Sequence, residues 1–190
     1  MMLKICSLLM AVQVCSGFLF GGPRQKGTVS ATADISAECE AKAAAGDCSF
    51  YDCFEQRFQC GSHGYALAYG GKYCQRLEGG RSLFTDAGNA FIDKMAPCEM
   101  QKSLTYYRQN TLNCKSFYDE AFVMMGQCYS ESGYCDVVAD NFDGFMQTFD
   151  KADFLNLKLV NQVLDAAKAC GGDVEQTIIN DFLQSGLGGR

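Results

Sequence analysis

The stretch from Cys114 to Cys128, CKSFYDEAFVMMGQC, sets the architecture. Cys114, Phe117, Ala121, Met125 and Cys128 recur at steps of three or four, which puts them on one stripe of a helix over 114–129. A helix rises about 1.5 Å per residue, so the two cysteines stand roughly 21 Å apart along its axis, well beyond the ~7 Å that a disulfide spans. They return to nearly the same face yet cannot bond to each other. The helix is therefore expected to be clamped to two different neighbours. For the same reason Cys53 and Cys60 cannot pair if they share a helix.

The surrounding segments are also helical in pattern. Over 85–96, Thr85 suits an N-cap, Ala87, Phe91, Ile92 and Met95 share a face, and Pro97 is expected to stop the helix. A helix over 150–169 is expected to begin at Asp150, to place Phe154, Leu157, Val160, Leu164 and Ala167 on one stripe, and to end at Gly171 and Gly172. Asp173 and Gln176 resemble a capping box for a last helix through Phe182. The fold class is all-α: a disulfide-rich helical domain. The domain is expected to span 36–185, preceded by a flexible leader over 17–35, rich in Gly, Ser and Thr, and followed by a frayed tail over 186–190.

The first residues, MMLKICSLLMAVQVCSGFLF, combine Lys4, an apolar run from Ile5 to Val14 and small residues at Ser16 and Gly17. That pattern is expected of a secretory signal peptide over 1–16. Of the twelve cysteines, Cys6 and Cys15 fall inside it. Ten remain, and an even number in an exported chain is expected to form five disulfides. A net charge of -6 with no basic stripe argues against nucleic acid as a partner. No later apolar run is long enough for membrane insertion.

Chemistry finds little footing in these residues. A structural zinc site favours closely spaced cysteine pairs with histidine, whereas the closest pair here is C-x4-C and the chain has one histidine, so neither a metal nor another cofactor is expected. Cys60 or Cys74 with His63, oriented by Asp52 or Asp86, would make a nucleophile and base, but oxidised sulfurs cannot attack. A calcium-dependent phospholipase needs a histidine beside an aspartate, and His63 is followed by Gly64 and Tyr65. Asp140, Asp143, Asp150 and Asp153 lack the regular calcium-loop spacing and are expected to form a solvated face. No N-x-S/T acceptor occurs. An enzyme is not expected.

The cysteine framework and the words between its members resemble the stanniocalcin family of secreted polypeptide hormones. The residues that carry the likeness are Glu38-Cys39, CSFYDCFEQRFQC from Cys48 to Cys60, FTDAGNAFIDKMAPC from Phe84 to Cys98, and CYSESGYC from Cys128 to Cys135, with the spacing C-x15-C-x13-C-x6-C-x34-C up to Cys170. The resemblance implies the bridges Cys39 with Cys53, Cys48 with Cys74, Cys60 with Cys114, Cys98 with Cys128, and Cys135 with Cys170. It further implies an extracellular protein that acts on a receptor or a target protease of the pappalysin kind, in calcium and phosphate balance. The family's additional cysteine, which links its dimer, has no counterpart in residues 171–190, so self-association is expected to be non-covalent. The interval from Cys60 to Cys74 is longer than in vertebrate members, and GYALAYGG within it is expected to form an added binding surface. The alternative is a carrier of a small apolar ligand in a cavity lined by Phe142, Phe145, Phe149 and Phe154.

Overall fold

A computed structural model describes residues 25–187, without the side chain of Phe154 and most of those over 181–187. The expected signal peptide over 1–16 lies outside the described residues. The helices are α1 (Ala37–Ala45), α2 (Phe50–Phe58), α3 (Gly71–Gly79), α4 (Asp86–Tyr107), α5 (Cys114–Ser132), α6 (Tyr134–Thr148), α7 (Leu157–Cys170) and α8 (Gly172–Leu187). A π-turn covers Ala66–Gly70, and 3-10 turns cover Arg81–Leu83 and Lys151–Leu155. The fold is all-α, as the periodicities predict.

The two longest helices, α4 and α5, lie side by side and carry two cores. Around one half of each, Phe50, Phe54 and Phe58 of α2 pack with Met100, Tyr107 and Phe117. Around the other half, Phe91, Ile92 and Met95 pack with Val138 of α6, Ala167 of α7 and Ile178 of α8.

Pro97 does not end α4, which runs ten residues past it to Tyr107. An internal proline costs about 3 kcal/mol, but apolar residues are buried on both sides of it: Phe91, Ile92 and Met95 before, Met100, Leu104 and Tyr107 after. Each such side chain is worth roughly 1.5–3 kcal/mol on burial, so continuity wins. Gly46, which ends α1 with φ 71°, makes room for the proline ring; a Cβ there would come within 2.8 Å of Pro97 Cδ.

At its other end α4 begins as expected. Thr85 Oγ1 accepts from Gly88 N, and the buried Asn141 of α6 accepts from both Thr85 N (2.8 Å) and Thr85 Oγ1 (3.1 Å) while donating to Val137 O (2.8 Å). Gly88 permits that contact, since a Cβ would lie 2.3 Å from Asn141 Oδ1.

Three other expectations need correction. The helix expected over 150–169 is two elements: Asp150 caps a 3-10 turn, and Asn156 caps α7 by accepting from Lys158 N and Leu159 N. Leu157, expected on the buried stripe, is 74% exposed, while Leu159 is 5% exposed. A second polar cap reset the phase of the helix. Asp173 stands in the first turn of α8 rather than at its cap, because the helix already begins at Gly172.

Within the interval expected to be a flexible leader, residues 25–35 are tied down. Thr28–Ser30 pairs antiparallel with Thr111–Asn113, register Val29 to Leu112. Arg57 anchors the chain just beyond this strand. Its guanidinium, 3% exposed, donates to Ala33 O, to Tyr107 O (2.7 Å) and to Gln109 O (2.8 Å), and it lies over the rings of Phe58 and Tyr107. Carbonyls at the end of α4 carry the negative end of the helix dipole, which suits a buried cation that has no carboxylate partner there. A three-residue strand is too short to leave a periodic trace in sequence.

Candidate functional site

The cysteines form five bridges with Cα separations from 5.2 to 6.0 Å: Cys39–Cys53, Cys48–Cys74, Cys60–Cys114, Cys98–Cys128 and Cys135–Cys170. These are the pairs that the resemblance implies. Cys114 ties the start of α5 to the loop after α2, and Cys128 ties its far end to α4. Cys60 falls outside α2, beyond Gln59, which ends the helix at φ 47°. Cys60 and Cys74 are each bonded elsewhere, and His63 is exposed in a turn between them. The three are therefore not assembled as a nucleophile and base. Cys98, Cys128 and Glu131 come close enough to suggest a metal site, but the two sulfurs are spent on each other.

The acidic run divides. Asp140 and Asp143 are exposed, whereas Asp150 and Asp153 both pair with Lys72, at 2.6 and 2.9 Å, and Asp150 also with Arg76. Tyr73 Oη donates to Asp153 (2.6 Å), Arg76 donates to Thr148 O (3.0 Å), and Asn156 donates to Tyr69 Oη and Tyr118 Oη. Together these bonds fasten residues 148–156 across α3 and the π-turn. Lys72 and Arg76 hold the Asp150 carboxyl below the usual carboxylate range.

Beneath that strap, between the two cores, lies a cavity of about 100 Å3. Its walls are aromatic and methionine-rich: Tyr51, Tyr65, Tyr69, Tyr129 and Tyr134 with Met95, Met100, Phe142, Phe145 and Phe149 among them. Three members of the phenylalanine stripe thus line it, while the Phe154 side chain lies outside the described ones. The volume is below the roughly 300 Å3 at which pockets for drug-sized ligands begin, which argues against a lipid as cargo.

GYALAYGG does not form the added outer surface expected of it. Tyr65, Ala66 and Tyr69 are 3%, 1% and 8% exposed. Tyr65, Tyr69 and Tyr73 stack in a column with centroids 6.3 and 6.4 Å apart. Gly70 lets the turn approach α2 closely, for a Cβ there would sit 2.3 Å from Tyr51 Cε1. The residues repeat at steps of four, a helical signal that the neighbouring glycines mask in sequence.

Glu99 of α4 lines this cavity together with Glu78, Thr148 and Gln162, and its carboxylate accepts a hydrogen bond from Tyr51 Oη (3.2 Å). Burial pushes its carboxyl up to about 7, with the Tyr51 hydrogen bond opposing. Burial likewise pushes the Tyr51, Tyr65 and Tyr129 hydroxyls up, and all three also feel the Glu99 charge. Ending the helix at Pro97 hides Glu99. Continued through the proline, the stripe Ile92, Met95, Ala96, Glu99, Ser103 reads as one face with an acid in its middle.

A search of curated proteins finds no match to the chain. The family model described as Stanniocalcin family matches residues 6–188, nearly the whole length. With ten cysteines in five bridges on a helical frame, the chain belongs to the stanniocalcin family, a family of hormones.

Proposed function

We propose that the chain is a secreted signalling protein that acts by binding another protein, either an extracellular receptor or a metalloprotease of the pappalysin kind that it inhibits, in the control of calcium and phosphate. The observation that carries this reading is the oxidised frame itself. Every cysteine from Cys39 to Cys170 is in a bridge, so the helices present a fixed outer surface and no thiol for catalysis. No helix among the described residues is long and apolar enough to cross a membrane, which suits a protein released after its leader is cut. No enzymatic step is involved in this reading.

The test is affinity capture from extracellular fluid with the oxidised protein as bait, followed by a cleavage assay on a purified pappalysin-type protease. Saturable binding by the oxidised protein that disappears on reduction supports the proposal. A hydrolase activity of the protein itself, abolished by His63→Ala, would remove it, as would failure of the oxidised form to retain any extracellular protein.

A further inference from the structure

The cavity between the two cores has the composition of a cation site rather than of an empty packing defect. Its walls present tyrosine and phenylalanine rings from α2, the π-turn, α5 and α6, and two carboxylates, of Glu99 and Glu78, stand among them. The Glu99 carboxylate accepts a single hydrogen bond, from Tyr51, and none of the ion pairs among the described residues includes it. Glu78, also at the cavity wall, is already paired with Arg81 at 2.6 Å.

We propose that this cavity binds a small organic cation, a methylated ammonium group about the size of tetramethylammonium, held between Glu99 and the faces of the surrounding tyrosine rings.

Each alternative guest fails on one of these features. A calcium or magnesium ion takes about six oxygen ligands, and the cavity offers one unpaired carboxylate. An anion would meet Glu99 directly. A neutral apolar guest would fill the space, but above about pH 7, where the Glu99 carboxyl is ionised, it would leave that charge without a counterion. A primary ammonium gives up strong hydration to enter, whereas a methylated one is apolar at its surface and cationic at its centre, the form that aromatic cages recognise.

Glu99 must be ionised to act as counterion, so binding weakens as pH falls through about 7, where its carboxyl titrates. The other titratable groups facing it do not compete. Tyr51, Tyr65, Tyr73, Tyr129 and Tyr134 are all pushed above the ordinary tyrosine value and stay uncharged, and Glu78 is held by Arg81.

The experiment is calorimetric titration of the full oxidised chain with tetramethylammonium at about pH 8, beside neopentyl alcohol, a neutral molecule of similar shape. Saturable one-to-one binding is expected, at least about tenfold weaker for the alcohol and at least about tenfold weaker for tetramethylammonium in Glu99→Gln. Circular dichroism of the variant checks that it folds, and the comparison of the two guests on the unaltered protein stands without it. No saturation by roughly 50 mM tetramethylammonium, equal binding of the alcohol, or unchanged binding in a folded Glu99→Gln would each overturn the proposal.

Discussion

Glu99→Gln keeps the shape of the side chain and its contact with Tyr51 but removes the titrating group. In the unfolded chain a glutamate carboxyl titrates near its ordinary 4.5; in the folded protein burial raises it to about 7. The folded state therefore holds the proton more tightly. Its contribution to stability is fully present below about pH 4.5 and is lost as pH rises through 7, after which an ionised, uncompensated carboxylate remains in the cavity. The two values differ by enough for an upper bound of about 3 kcal/mol, and partial access to the cavity lowers the expectation to roughly 2–3 kcal/mol. Glutamine carries no such cost. Guanidinium unfolding with the disulfides intact should show the variant more stable than the parent by that amount at about pH 8 and equal to it near pH 4. In a chain of this size the same gap appears as roughly 5–10 °C in Tm. A difference independent of pH, or a less stable variant at about pH 8, would refute the reasoning.

Arg57→Met should cost about 3 kcal/mol or more, since three carbonyls, of Ala33, Tyr107 and Gln109, lose a charged donor together. Arg57→Lys should recover only part of the loss, because an ammonium cannot reproduce the fork; chemical denaturation measures both, and a loss under about 1 kcal/mol for the methionine variant would dismiss the anchor. Gly88→Ala should destabilise by roughly 2–4 kcal/mol by displacing Asn141 from Thr85, despite alanine's better helix propensity. Hydrogen exchange should then speed up at Thr85 N, and a neutral or stabilising effect would contradict the packing.

The features legible in sequence are those that act locally. Thr85 reveals the start of α4 because a hydroxyl beside a helix start has one obvious use, here to accept from Gly88 N. The clamp on α5 comes from helix rise alone, and the structure ties its two ends to different elements. The 945 ways of pairing ten cysteines did not reduce to five bridges by such arithmetic. That step needed the family resemblance.

The features hidden in sequence depend on the partners the chain folds against. Pro97 is a stop signal in isolation, and only the apolar stripes buried on either side of it carry α4 through to Tyr107. GYALAYGG looks like a glycine-loosened surface loop, but Gly70 is there so that the turn can meet the ring of Tyr51. Residues 25–35 have no periodicity of their own, and their order comes from Leu112 and Arg57, remote in sequence.

The helical class, the oxidised cysteines and the family were all readable along the chain. The meeting of Glu99 with the tyrosines was settled only by tertiary packing, because a cavity arises from the mismatch of several elements at once. Spacing along one helix carries no information about the space left between two.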